Sequence, residues 1–99
     1  MAKVIWSKQA KCQYKEAIKY LSDTHGASKA RPLVQKVNDK VLLLQRFPKM
    51  GKPEKLLNLR RPGMRYIVVY SYKIIYQLSG NRLTILRFFH CAQHPRRMK

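Results

Sequence analysis

The sequence predicts an α+β domain in which an N-terminal strand and an antiparallel helical hairpin pack on a C-terminal antiparallel β-meander. Apolar residues recur at helical spacing in the first half of the chain, whereas residues 64–90 are rich in aromatic and β-branched side chains. Two prolines around Gly51 separate the halves. We expect one domain over residues 1–99 with the order β-α-α-β-β-β and room for one more strand.

A strand over Lys3–Trp6 leads directly into the first helix of a hairpin that spans about residues 7–46. Ser7 is a good N-cap, because its side-chain oxygen can accept a hydrogen bond from the first turn. Gly26 can take the left-handed conformation that ends a helix. Lysines fill the positions between the apolar residues, so the outer face is basic. The apolar residues are Ala10, Tyr14, Ala17, Ile18 and Leu21.

The second helix is predicted to begin at Ser28 or Ala30, because Pro32 is tolerated only near a first turn. It ends before Pro48. The short joint makes the two helices antiparallel, and their apolar stripes need the sheet as a partner surface. The stripe of this helix comprises Leu33, Val34, Val37, Val41, Leu42 and Leu44.

The sheet is predicted over about residues 56–90, after a loop at 47–54. Residues 56–59 form a weak strand candidate and 60–63 a basic turn. Stronger strands cover 64–70, 73–78 and 82–90. Ser71 and Tyr72 leave room only for a tight hairpin or one bent strand, and residues 79–81 make a second hairpin. Residues 91–99 form a basic tail.

Strict alternation would divide the side chains of the last strand between two faces. We expect the hairpin to cover one face, with Arg87 exposed on the other, and the sequence leaves the register open. One set is Leu83, Ile85, Arg87 and Phe89, and the other is Thr84, Leu86, Phe88 and His90.

The charge is extreme, since 22 Lys+Arg against 4 Asp+Glu give a formal net charge of +18. Such a body attracts polyanions, so nucleic acid, the ribosome, an acidic protein and an anionic membrane are the candidate partners. The chain shows no apolar run long enough to span a bilayer and no signal-peptide pattern, and we expect a cytoplasmic protein without a membrane role. Cys12 and Cys91 lack Cys-x-x-Cys spacing, so free, partly buried thiols are expected.

Five short motifs follow one another in a recognisable order. They are Val4-Ile5-Trp6-Ser7 with Ala10, the loop from Phe47 to Pro53, Asn58-Leu59-Arg60, the strand Tyr72-Lys73-Ile74-Ile75-Tyr76, and His90 followed by Pro95. In this order they resemble the RelE/ParE superfamily of bacterial type II toxins over nearly the whole chain. The resemblance implies a toxin held by a cognate antitoxin. RelE-like members cut mRNA in the ribosomal A site, whereas ParE-like members bind and block DNA gyrase without known catalysis of their own.

Metal-independent RNA cleavage, the RelE-like activity, needs a proton acceptor, a proton donor and cations against the charge that develops on phosphorus. His90 and His94 suit proton transfer near neutral pH. Lys73 and Arg87 would stabilise the charge, which makes these four the predicted catalytic residues. A metal site at His90, Cys91 and His94 would lack a second ligand pair, so neither a metal nor another cofactor is expected.

Six further residues are predicted to contact nucleic acid. Tyr72 would stack on a base, although Tyr72 and Tyr76 also suit plain packing. The phosphate contacts would come from Arg60, Arg61, Arg65, Arg96 and Arg97.

One position departs from the family pattern. Many relatives read His-x-Arg-x-x-Pro after the last strand, and this chain has Ala92 at the arginine. Either this branch lacks the arginine, or an inactivating replacement removed it; the codon in the natural gene distinguishes the two. Ribosome-dependent mRNA cleavage is the first interpretation, gyrase inhibition the alternative, and a small basic nucleic-acid-binding module the third.

Overall fold

The computed structural model describes residues 2–53 and 63–91. One mixed sheet with the strand order β1-β5-β4-β3-β2 carries the two helices, which confirms the predicted α+β architecture. The elements are β1 (Lys3–Trp6), α1 (Lys8–His25), α2 (Ala27–Arg46), β2 (Lys52–Pro53), β3 (Met64–Val69), β4 (Tyr72–Ser79) and β5 (Arg82–His90).

The strands β3, β4 and β5 form the predicted antiparallel meander. The N-terminal strand joins the same sheet, since β1 pairs in parallel with β5. The short strand β2 lies inside the predicted loop and pairs with β3. Two residues that end in a proline are too few to show the alternation of a strand. The strand predicted at 56–59 lies outside the described residues.

Gly26 alone joins the two helices, at φ 88°. The second helix begins at Ala27, earlier than either predicted start, so Pro32 lies in its second turn. Proline has no N–H there, and the helix loses one backbone hydrogen bond. The closeness of the joint makes α1 and α2 pack side by side, as predicted.

The main core lies between this hairpin and one face of the sheet. Ala10, Val37 and Leu44 from the helices meet sheet residues such as Ile74 and Ile85, all fully buried. Leu42 was wrongly assigned to the buried stripe and is 59% exposed. It stands two residues from Leu44, about 200° around the helix, and therefore faces away from the sheet.

A smaller cluster occupies the opposite face, which we call the second face. It comprises Met64, Ile75 and Phe89, with Tyr66 and Leu86 packed against them. The sheet is therefore apolar on both sides, as the composition of its strands predicts.

A β-bulge in β5 overturns the predicted strict alternation. Tyr76 pairs with Ile85 but Ile75 pairs with Arg87, so Leu86 is an extra residue in the strand. The extra residue shifts the side-chain phase by one position. Leu83, Ile85 and Phe88 consequently share the helix-covered face. Arg87 and Phe89 lie on the second face, whereas alternation had placed them with Ile85.

Tyr76 holds the loop before β2 against the sheet. Its hydroxyl donates to the Pro48 carbonyl at 2.9 Å and accepts from the Gly51 N–H at 3.0 Å. The Arg65 guanidinium donates to the carbonyls of Gly51 at 2.7 Å and Lys49 at 3.2 Å. A Cβ at Gly51 would lie 2.4 Å from the Tyr76 hydroxyl oxygen, so the close approach requires glycine.

Unlike Tyr76, Tyr14 has a buried hydroxyl group that forms no hydrogen bond among the described residues. Its ring stacks on Trp6, with centroids 5.1 Å apart, and contacts Phe88 at 4.9 Å. Burial raises the pKa of both Tyr14 and Tyr76, and for Tyr76 the Gly51 N–H and Arg65 oppose the shift.

Removing the hydroxyl group should destabilise the protein at Tyr76 and should not destabilise it at Tyr14. Tyr76→Phe leaves two loop groups without their partner and should lower the free energy of unfolding by roughly 1–3 kcal/mol. Tyr14→Phe removes an unpaired buried hydroxyl and should leave that free energy unchanged or raise it. Urea denaturation of the two variants beside the wild type measures both; equal losses would contradict the assigned hydroxyl contacts.

Candidate functional site

Ser7 joins the first strand, the first helix and β5 at one point. Its N–H donates to the Ile85 carbonyl at 2.9 Å, and its hydroxyl donates to the Leu86 carbonyl at 3.2 Å. The same oxygen accepts from the Ala10 N–H at 3.0 Å, which confirms the predicted N-cap. The start of α1 is therefore fixed beside the bulge.

Two glutamines of α1 continue the edge of β5 where β1 has ended. The Gln13 side-chain oxygen accepts the Phe88 N–H at 2.8 Å, and that of Gln9 accepts a hydrogen bond from the Arg87 guanidinium. Neither glutamine was predicted from the sequence as a site residue. Their i, i+4 spacing among lysines, on one side of the helix, is the available signal.

Arg87 is half-buried rather than exposed as predicted. One of its terminal nitrogens contacts Gln9 and also donates to the Leu86 carbonyl at 3.2 Å, while its Nε atom is buried without a partner in the described structure. Its predicted role in catalysis stays a prediction. The observed contacts make Arg87 part of the joint between α1 and β5.

Lys73 lies on the second face of the sheet. It pairs with Val68 on one side and Phe89 on the other, and only 9% of it is exposed. Its ammonium nitrogen sits 4.2 Å from the centroid of the Tyr66 ring, a cation–π contact. Residues directly opposite in an antiparallel pair share a face, so Lys73 lies on the same side as Arg87, which pairs with Ile75.

His90 and Tyr72 lie on the other side of the sheet, under the helices. They pair across β4 and β5, and the imidazole meets the Tyr72 ring edge-on with centroids 5.1 Å apart. Tyr72 also stacks on Phe88 at 5.1 Å. Burial raises the pKa of Tyr72, and Tyr20 adds to the shift. Its predicted stacking on a base stays a prediction, while the structure packs the ring internally.

The predicted catalytic residues are thus divided by the sheet. Lys73 and Arg87 share the second face, and His90 lies on the helix-covered face, because adjacent positions of a strand point to opposite sides. Arg65, predicted to contact phosphate, donates to the loop carbonyls. The other predicted site residues lie outside the described residues: Arg60, Arg61, Ala92, His94, Arg96 and Arg97.

The part of the chain that the structure describes contains no group of three or more His, Cys, Asp or Glu side chains placed to hold a metal ion. Cys12 and Cys91 carry free thiols and are exposed, although partial burial was expected. Neither described helix is long and apolar enough to cross a membrane.

The family model that matches this chain is that of the ParE toxin of the type II toxin–antitoxin system parDE, over residues 4–95. The chain belongs to this toxin family. No match was found among curated protein sequences.

Solved structures of toxin–antitoxin systems share the fold. The chromosomal ParDE system of P. aeruginosa matches with a TM-score of 0.71 and 21% identity, over 91% of this chain and 96% of that one. The E. coli DinJ-YafQ complex matches with a TM-score of 0.67 and 19% identity, over 93% and 96%. The YoeB/ParE toxin from Agrobacterium tumefaciens matches with a TM-score of 0.57 and 19% identity, over 89% and 96%. At these identities the likeness concerns the fold.

The hydrogen bond from the Phe88 N–H to the Gln13 side chain should stabilise the joint between α1 and β5. Gln13→Ala leaves the half-buried Phe88 N–H without its partner and should lower the free energy of unfolding by roughly 1–3 kcal/mol. Gln35→Ala makes the same chemical change at an exposed position of α2 and should have little effect. Denaturation midpoints of both variants measure the difference, and indistinguishable values would show that the Gln13 contact contributes nothing.

Proposed function

We propose that this toxin arrests growth by binding and blocking DNA gyrase, without cleaving RNA itself. The observation that supports it best is the separation of His90 from Lys73 and Arg87 by the sheet. Metal-independent RNA cleavage needs a proton-transfer group and phosphate-stabilising cations around one scissile bond. Among the described residues, His90 lies on the opposite side of the sheet from the two predicted charge-stabilising residues, Lys73 and Arg87.

The contacts of these side chains support the same proposal. Arg87 is held by Gln9 and a backbone carbonyl, and Lys73 is largely buried over Tyr66. His90 packs against Tyr72. Each side chain therefore has a structural role, and membership of the ParE family agrees with inhibition by binding.

Ribosome-dependent mRNA cleavage is the second candidate. The net charge of +18 favours it, because an RNA-lined site attracts such a body over long range. Gyrase inhibition would lower DNA supercoiling, whereas the ribonuclease would leave cut mRNA, so one experiment can distinguish the two functions.

The native toxin should inhibit DNA supercoiling by purified gyrase and leave mRNA intact in a translating extract. His90→Ala should retain the inhibition, since its imidazole packs edge-on against Tyr72. Lys8→Ala, a change at an exposed lysine of α1, serves as the control variant and should inhibit gyrase as the wild type does. Cleavage at codons on translating ribosomes that disappears with His90→Ala, together with unimpaired supercoiling, would overturn the proposal in favour of the ribonuclease.

The partner is proposed to be a cognate antitoxin with an acidic, flexible segment that orders as it wraps the basic toxin. The dissociation constant should be roughly micromolar or tighter and should rise with salt concentration, because salt screens the attraction between an acidic segment and a toxin with a net charge of +18. Calorimetry across a salt titration measures this dependence. A dissociation constant that stays flat would exclude charge as a main source of binding.

A further inference from the structure

A groove opens between the turn of the helical hairpin and the turn that joins β3 to β4. We propose that this tip groove is the docking site for an acidic segment of the antitoxin, and that Tyr70 is its anchor. The walls come from the end of α1, the start of α2 and the β3–β4 turn, with His90 of β5 at one side. The inference rests on the proposed pairing of the toxin with an acidic antitoxin.

Tyr70 has a backbone conformation that its side chain disfavours. It lies at φ 54°, and among the described residues it is the only one other than glycine with a positive φ. The two-residue hairpin between Val69 and Tyr72 imposes this geometry, in which glycine is the usual residue. A bulky side chain there is unfavourable for the isolated fold.

Packing within the chain does not compensate for this conformation, since Tyr70 is 62% exposed. A strained residue is a reason to look for function at that position. Tyrosine is also enriched among the residues that dominate binding energy, because it offers a rigid ring and a polar end. An exposed tyrosine at the rim of a groove therefore fits a contact with a partner.

The tip groove combines an apolar floor with a basic rim. Leu33 and Tyr72 in the floor are buried within the protein, and Leu21 is half-buried. The rim carries Lys29 together with the imidazoles of His25 and His90. No acidic residue contributes to the lining in the described part of the chain. This arrangement fits a segment with carboxylates around one apolar or aromatic side chain.

The charges and the floor favour this occupant over two others. A second copy of the chain would bring another +18 to the contact, and the two bodies would repel. Duplex nucleic acid would match the rim, but its bases are stacked inside and its phosphate backbone has no apolar group for the floor formed by Leu21 and Leu33. An acidic peptide satisfies both parts of the groove.

The test uses the full-length toxin and its separately purified cognate antitoxin, at one salt concentration. Tyr70→Gly removes the ring and relieves the positive φ, so the free toxin should melt at the same temperature or higher. The dissociation constant for the antitoxin should nevertheless rise by about tenfold or more. Tyr70→Phe keeps the ring and should bind within about threefold of wild type.

Charge reversal tests the rim. Lys29→Glu should weaken antitoxin binding by about tenfold or more, because it places a carboxylate opposite an acidic segment. Lys8→Glu is the matched control, since Lys8 lies at the other end of α1, about 25 Å along the helix from His25. Lys8→Glu changes the net charge by the same amount as Lys29→Glu and should weaken antitoxin binding much less.

An unchanged dissociation constant for Tyr70→Gly would overturn the inference, as would equal weakening by Lys29→Glu and Lys8→Glu. Loss of gyrase inhibition by Tyr70→Gly with unaltered antitoxin binding would also overturn it and assign the tip groove to gyrase. If the wild-type toxin fails to inhibit gyrase while Tyr70→Gly still weakens antitoxin binding, gyrase is wrong as the target and the docking site for the antitoxin stands.

Discussion

The structure depends on which groups form hydrogen bonds with the backbone of β5 beyond Ile85, where its pairing with β1 ends. Unpaired backbone groups in a half-buried strand cost free energy and offer an edge to other chains. Here the Ser7 hydroxyl at the N-cap of α1 donates to the Leu86 carbonyl, and the Gln13 side chain of α1 accepts from the Phe88 N–H. These contacts hold the first turns of α1 at the edge of β5, and α2 stays close because one glycine joins the helices. The core forms beneath both.

The bulge at Leu86 depends on this same joint and decides where the charges lie. If Leu86 took a regular place in the ladder and the strand had no bulge, Arg87 would share a face with Ile85 and project into the core beneath the helices, where an unpaired guanidinium is costly. With the bulge, Arg87 lies on the face that carries Lys73, and its guanidinium reaches Gln9 at the edge of β5. The bulge therefore keeps the Arg87 guanidinium out of the helix-covered core.

The conformations of the loop before β2 and of the β3–β4 turn have different explanations. The loop before β2 is held by Tyr76 and Arg65 at short range and requires Gly51, so its shape contributes to stability. The β3–β4 turn places an exposed tyrosine where glycine would be relaxed. The first arrangement is explained within the chain. Packing within the chain does not explain the second, and the proposed antitoxin contact would account for it. That contact would lie on the opposite side of the sheet from Lys73.

Local patterns in the sequence determined the two helices, the Ser7 cap, the order of the meander and the resemblance to the toxin superfamily, because each depends on neighbours within a few residues. Only the tertiary structure decided that β1 joins β5, that β2 exists, and that His90 lies across the sheet from Lys73. A strand's alternation does not state which partner it meets or where a bulge shifts its phase. Those depend on contacts between residues far apart in the chain, such as Ser7 with Leu86 and Tyr76 with Gly51.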